Sequence, residues 1–213
     1  MTSANLVEIF SSFQGEGPHV GRSTLFVRFG ACDLRCRWCD SPHTWKAGPR
    51  CRIEDSARGE REIANPVPLA EIAAAAEALG LARHRFVSLT GGEPLLRRDL
   101  HVLVSLVAST PGITDVALTT NGSLLAAHAQ SLRNAGLHRV TVSLDSVDPT
   151  VFAAMGDTKV PLSKVLDAIA AAAAAGLAPI KLNTVLRRGM NEAGLLDLVE
   201  FARDGGYVLR CIE

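Results

Sequence analysis

From residue 68 onward the chain alternates between two hydrophobic periods. Apolar residues spaced three and four apart (Leu69, Ile72, Ala73 and Ala76) predict a helix over Leu69–Leu81. The same spacing at Leu100, Leu103, Val104 and Val107 predicts a second helix over 100–107. Further helices are expected over Leu124–Asn134, Ser163–Ala175 and Ala193–Arg203; Gly136, Gly176 and Gly205–Gly206 end them, and Ser163 is the expected N-cap. Between the helices lie short apolar runs at Phe86–Leu89, Val116–Leu118, Val140–Leu144, Ile180–Leu186 and Tyr207–Ile212, which read as strands. Upstream, Leu6–Phe10 and residues 24–29 are also strand-like. Residues 40–67 are polar, rich in Pro, Gly and Arg, and show little periodicity; they read as a long loop carrying Cys51 as an incidental exposed thiol.

Strands alternating with helices imply an α/β fold with a parallel sheet and right-handed crossovers. Six strands from residue 24 onward fall short of the eight that close a full barrel. The expected architecture is a partial, laterally open (βα)6 barrel, one domain over residues 1–213.

Composition adds only exclusions. Hydrophobic residues make up 47% and charged residues 21%, and 22 basic residues balance 22 acidic ones, so neither nucleic-acid nor membrane binding is expected. The opening MTSANLVEIF lacks a basic region followed by an apolar run, so no signal peptide is expected. Five cysteines, an odd number, argue against a disulfide scaffold, and a reducing cytoplasm suits unpaired thiols.

The chemistry concentrates at strand ends, where parallel α/β folds collect function. Cys32, Cys36 and Cys39 follow strand 24–29 in the run CDLRCRWCD. Three soft thiolates this close suit one inorganic centre. The alternatives are buried structural cysteines or zinc, and neither His43 nor Cys51 completes a zinc spacing. A cluster held by three thiolates leaves one iron without a protein ligand. Arg28, inside an apolar strand, needs a partner: Glu16, Asp33, or an anionic ligand suited to its planar fork. Asp40 and Ser41 offer oxygens either for a hard cation or for a turn. Thr90-Gly91-Gly92-Glu93-Pro94, Thr119-Thr120-Asn121-Gly122, Ser143 with Asp145, and Lys181 with Asn183 fall on or after successive strands; the glycine pair would let a ligand approach the backbone.

The C-x3-C-x2-C spacing, with GGEP and VSLD downstream, resembles the radical S-adenosylmethionine (SAM) superfamily. The resemblance implies a [4Fe–4S] cluster on Cys32, Cys36 and Cys39, SAM on the open iron, and reductive cleavage of SAM to methionine and a 5′-deoxyadenosyl radical. It implies SAM contacts from Trp38, Cys39, Asp40, Gly92, Glu93 and Ser143, with Glu93 toward the SAM ammonium. An electron donor of the flavodoxin or ferredoxin type follows from the same likeness.

Two subfamilies are echoed within it. Residues 6–95 resemble 7-carboxy-7-deazaguanine synthase, through Phe13-Gln14-Gly15-Glu16-Gly17, Arg28, Ser41 and TGGEP. That likeness implies ring contraction of 6-carboxy-5,6,7,8-tetrahydropterin with loss of ammonia. The substrate would contact Phe13, Gln14, Gly15, Glu16, Arg28 and Thr90; Mg2+ would sit on Ser41, Glu213 could reach the substrate, and the protein would be a homodimer. Residues 96–213 resemble GTP 3′,8-cyclase through LTTNG, HRVTVSLDSVDPTVFAAM, IKLNTVLRRGMNE and RCIE; there Thr119 or Thr120 and Lys181 would contact GTP. Ser88 stands where the cyclase pattern has an arginine, and the cyclases' second cluster-bearing extension has no counterpart in this sequence. On these residues the synthase is the leading expectation, with a cyclase-like activity on a purine nucleotide or a non-catalytic Fe–S protein as alternatives.

Overall fold

The computed structural model describes residues 3–15, 19–55, 59–80 and 84–212. Its strands are β1 (Ser3–Ala4), β2 (Leu6–Phe13), β3 (Ser23–Phe29), β4 (Arg50–Asp55), β5 (Gly59–Ala64), β6 (Val67–Pro68), β7 (Phe86–Thr90), β8 (Asp115–Thr120), β9 (Arg139–Ser143), β10 (Lys181–Val185) and β11 (Val208–Ile212). Its helices are α1 (Leu69–Gly80), α2 (Leu100–Ala108), α3 (Leu125–Asn134), α4 (Pro149–Gly156), α5 (Leu162–Ala174) and α6 (Leu195–Gly205).

Nine strands form one sheet in the order β11-β10-β9-β8-β7-β3-β2-β4-β5. The six from β11 to β3 are mutually parallel, as expected. Because β11 and β5 are its two edges, the sheet is open rather than closed. On the parallel strands from β3 to β10 every second side chain points away from the cavity and is fully buried, among them Leu25, Val27, Val87, Leu89, Val116, Leu118, Val140, Val142 and Leu182; on the edge strand β11 the side chains are only partly buried. The buried set meets Ile72, Leu103, Val104, Leu132, Val165 and Ile169 of the covering helices in one core. This two-residue alternation decides the site, because the intervening residues must face the barrel interior.

Residues 40–67 depart from the expected loop. β4 and β5 form an antiparallel hairpin in register from Arg50 opposite Ala64 to Asp55 opposite Gly59, and β4 adds to β2. The segment RCRIED alternates after all: Cys51 and Ile53 are buried on one face while charged residues take the other. Cys51 is therefore a core thiol, not an exposed one, and burial pushes its pKa up to about 12. Helix α4 was also unexpected. Asp148 caps it by accepting from the Thr150 and Val151 amides at 2.8 Å each, and Pro149 pre-sets its first turn. Ser163 lies inside α5, whose N-cap position is Pro161. Gly136, Gly176 and Gly206 end their helices with positive φ, as anticipated. No helix among the described residues is long and apolar enough to cross a membrane.

Candidate active site

The inward-facing residues of the parallel strands line a cavity of about 370 Å3. Their chemistry is the inverse of the outward set: Arg28 on β3, Ser88 and Thr90 on β7, Thr119 on β8, Arg139, Thr141 and Ser143 on β9, Lys181 and Asn183 on β10, and Arg210 on β11. Phe26, Ala117, Val185 and Ile212 fill the apolar places between them, and polar groups set in an apolar wall suit a guest with both polar and planar apolar parts. Phe152 and Met155 of α4 supply an apolar wall.

The three cysteines enter the cavity on the loop after β3. Ala31 leads into it with φ +87°, a conformation costly for a residue with a Cβ. Bonds from both sides hold that backbone. The Glu93 amide donates to the Ala31 carbonyl at 2.8 Å, and the Ala31 amide donates to the Thr44 carbonyl at 2.9 Å. The Thr44 hydroxyl accepts from the Gly92 amide at 3.0 Å and donates to the Ser41 carbonyl at 2.7 Å. Asp33, next to Cys32, latches the loop to the end of β8: it accepts from Asn121 Nδ2 at 2.7 Å and Ser123 Oγ at 3.0 Å.

All three thiols are unpaired and partly buried. Burial pushes the Cys36 thiol up to about 12, with Asp145, Cys32 and Cys39 adding negative charge. The Cys32 thiol is raised as well, by burial first and then by Asp33, Glu93 and Cys39. Acids and thiols crowded together in this way make a surface that a positively charged centre would relieve, with release of protons. Three thiols lining one cavity fit a multi-iron cluster, each sulfur taking its own iron. Structural zinc fits less well. Cys51 is buried elsewhere in the sheet, His43 is exposed, and among the described residues no three His, Cys, Asp or Glu side chains close on a single ion. The site also leaves polar atoms for an organic guest: Trp38 Nε1 and Asn183 Oδ1 are buried with no partner among the described residues, and both residues line the cavity.

Of the residues singled out from sequence, the structure brings Gln14, Arg28, Cys32, Cys36, Trp38, Cys39, Asp40, Ser41, Thr90, Gly92, Ser143, Thr119, Thr120 and Lys181 to this cavity. Others are corrected. Phe13 is 70% exposed and, like Gly15, does not line the cavity. Glu16 and Glu213 lie outside the described residues. Glu93 does not line the cavity either; it is 2% exposed and accepts from the Leu95 amide at 3.0 Å, the Asn121 amide at 2.7 Å and the Thr120 hydroxyl at 2.9 Å. It ties the end of β7 to the end of β8 from beneath, and burial raises its carboxyl to about 7 against those hydrogen bonds. The glycine pair is required by the chain itself: a Cβ on Gly91 would stand 2.4 Å from Arg28 Cγ, and one on Gly92 would stand 2.2 Å from the Ala31 carbonyl oxygen. Arg28 has a partner other than Asp33: its Nη1 donates to Glu8 Oε1 at 2.6 Å, while Arg52 takes the other oxygen of Glu8. The sequence did not disclose the Asp33 latch or the stacking of the Arg187 guanidinium 3.6 Å over the Trp38 ring. Arg139 also went unmarked, although two-residue spacing from Ser143 places it inside.

Comparison with known proteins gives this site a lineage. The radical SAM superfamily profile matches residues 26–202. The chain is 47% identical over 182 residues to GTP 3′,8-cyclase of Acidothermus cellulolyticus, covering 85% of this chain and 48% of that protein. It is 44% identical over 199 residues to GTP 3′,8-cyclase of Marinobacter nauticus, covering 91% and 54%. The chain thus spans about half the length of the curated relatives it matches. Among solved structures it is similar to QueE from Escherichia coli (TM-score 0.54, 17% identity, 100% of this chain and 95% of that one). It is also similar to Streptococcus suis SuiB bound to S-adenosylmethionine (TM-score 0.61, 17% identity, 87% and 41%). At these identities the structures speak for the fold alone. The expectation of a 7-carboxy-7-deazaguanine synthase is overturned: an alignment of 182 residues is longer than the 118 residues from 96 to 213, so the cyclase likeness reaches into the half that had suggested the synthase. The magnesium role of Ser41 rested on that synthase resemblance and has no other support. Profile, fold and three-thiol loop agree, and the chain belongs to the radical SAM superfamily.

Proposed function

We propose that this chain carries out radical SAM chemistry on a purine nucleotide, in the manner of its relatives named GTP 3′,8-cyclase. The observation that supports this most is the 42–47% identity to such proteins over 85% or more of the chain. The lining agrees: Ser88, Thr90, Thr119, Thr141 and Asn183 give the cavity hydrogen-bonding side chains that a nucleotide could use.

In this reading Cys32, Cys36 and Cys39 hold the cluster, and Trp38, Asp40, Gly92 and Ser143 face SAM. Bound there, the cluster supplies the electron that splits SAM, delivered to it by a carrier of the flavodoxin or ferredoxin class. The protein's own part is positional. Asp33, Thr44 and the backbone bonds around Ala31 fix the cysteine loop against the ends of β7 and β8. Phe152 and Met155 add an apolar wall, the kind of surface that disfavours water beside a reactive radical. The polar rungs of β8, β9 and β10 orient the nucleotide, so that the ribose carbon to be joined to the base lies nearest the mouth.

Joining C3′ to C8 requires removal of a hydrogen from C3′. Iron-loaded, reduced protein given SAM and [3′-2H]GTP should therefore yield 5′-deoxyadenosine carrying deuterium. Unlabelled deoxyadenosine alone, at a rate indifferent to GTP, would reject the nucleotide assignment.

A further inference from the structure

The loops after β3 and β10 meet although their strands do not. Four strand spacings, at about 4.8 Å each, separate β3 from β10 along the sheet. The curvature of the sheet brings the two loops together over the mouth. There the guanidinium carbon of Arg187 lies 3.6 Å from the centre of the Trp38 ring. Trp38 lines the cavity and Arg187 does not, so the guanidinium covers the ring from outside.

The two sides of this contact are held unequally. On the β10 side, Asn191 is 3% exposed and fixes the backbone: its Oδ1 accepts from the Arg187 amide at 2.8 Å, and its Nδ2 donates to the Val185 carbonyl at 2.9 Å and the Asp145 carbonyl at 2.8 Å. The Met190 amide donates to the Arg187 carbonyl at 3.1 Å. On the cysteine side, hydrogen bonds to the ends of β7 and β8 hold Ala31 and Asp33, at the start of the loop. Among the described residues the backbone of residues 36–39 has a single hydrogen bond, an internal one from the Cys39 amide to the Cys36 carbonyl at 3.2 Å. Trp38 Nε1 is buried without a partner. Arg187 is exposed, and among the described residues its guanidinium makes no hydrogen bond or ion pair beyond the stack. A stacked guanidinium at an exposed site is a weak tie that water can replace.

We propose that Arg187 is a positioning residue: laid on Trp38, it clasps the loops after β3 and β10 together across the mouth, and the clasp opens to admit SAM and closes to retain it. The firmly held Arg187 backbone is the fixed post, and the loosely held second half of the cysteine loop is the part that moves. This rests on the radical SAM reading of the cavity and is indifferent to the identity of the second substrate.

Trp38 and Trp45 are the two tryptophans of the chain, so a Trp45→Phe background makes Trp38 the sole fluorescent reporter of its kind. In the full chain, acrylamide should quench Trp38 more strongly in Arg187→Ala than with arginine in place. Arg187→Lys should fall between them, and the unfolding midpoint should hardly move, because the side chain is exposed. In stopped-flow binding of SAM to iron-loaded protein, Arg187→Ala should speed association and dissociation together. Each should rise by roughly two- to thirtyfold, the span of such a stack from exposed to desolvated. In a Trp38→Leu background, Arg187→Ala should change neither rate further. Equal quenching in the arginine and alanine proteins overturns the clasp. Faster dissociation alone overturns it too, since that marks a lost contact to SAM rather than a loosened mouth, and so does an effect of residue 187 that survives in Trp38→Leu. The quenching needs neither iron nor SAM. Protein that binds no SAM therefore sinks the cofactor reading of the cavity, while the quenching still decides whether residue 187 ties the two loops.

Discussion

Replacing Glu93 with glutamine tests how the two strand ends beneath the thiols are joined. In the wild type, Glu93 Oε1 accepts from the Leu95 amide at 3.0 Å and Oε2 accepts from the Asn121 amide at 2.7 Å. Both amides need an acceptor. A protonated carboxyl can serve both, because its hydroxyl proton can turn to Thr120 Oγ1, within 3.0 Å, while its oxygens go on accepting. A glutamine amide cannot: whichever way it flips, its NH2 confronts one of the two N–H groups. One buried donor left unsatisfied costs about 1–3 kcal/mol. A second effect runs against the first. Burial raises the Glu93 carboxyl from 4.5 to about 7, so the folded protein holds a proton there that the unfolded chain releases. Between those values wild-type stability falls as pH rises, by about 3 kcal/mol in all, because each tenfold difference in proton affinity is worth about 1.4 kcal/mol. Glutamine has no such dependence. Urea unfolding of both proteins near pH 5 and near pH 8 separates the two. The wild type should lead near pH 5, and its lead should shrink or reverse near pH 8. A gap independent of pH, or one that widens with pH, would refute the reasoning that burial outweighs the hydrogen bonds at Glu93.

Other perturbations probe neighbouring links. Gly92→Ala adds a Cβ 2.2 Å from the Ala31 carbonyl oxygen at φ +46°; backbone strain of this kind costs on the order of 1–3 kcal/mol before any clash, so iron and sulfide uptake should drop sharply, and full uptake would contradict the packing. Glu8→Ala should cost about 3–5 kcal/mol in denaturant unfolding, because Glu8 is 6% exposed and its loss leaves Arg28 without its partner; Arg52→Ala, at a half-exposed position, should cost under about 1 kcal/mol. Asp33→Ala should speed iron loss to a chelator while leaving the unfolding midpoint nearly in place, since the latch joins two loops at the surface. A large stability loss with unchanged iron retention would remove Asp33 from the site.

The outer half of the fold was legible because its physics is local and periodic. Strands β7 to β11 carry an apolar face under the helices, and helices α1, α2, α3 and α5 carry a stripe against it, so both periods stand out. The hairpin β4–β5 escaped because strands at the margin of a sheet need only one sheltered face, and two apolar residues of β4, Cys51 and Ile53, suffice for it. Helix α4 had a written start at Asp148-Pro149 but too few turns to show a period. At the site, the cysteine loop announced itself, whereas the direction of a side chain beside it did not. Nothing in TGGEP says that Glu93 turns inward to join β7 and β8, or that the glycines yield to Ala31 and Arg28. The partner of Arg28 came from Glu8, one strand earlier, where the pairing of β2 with β3 rather than any motif brings them together. The synthase expectation failed for a related reason. It leaned on a few residues near the cysteines, among them Phe13, which is exposed, while kinship is carried by modest identity spread along most of the chain.

The central claim is that Cys32, Cys36 and Cys39 together hold a cluster that breaks SAM reductively within this barrel. Anaerobically reconstituted protein, reduced and given SAM, should release 5′-deoxyadenosine and methionine in equal amounts, and Cys36→Ala should release neither. Iron-replete wild-type protein that leaves SAM intact, or a Cys36→Ala variant that cleaves it as well as the wild type, would contradict the account.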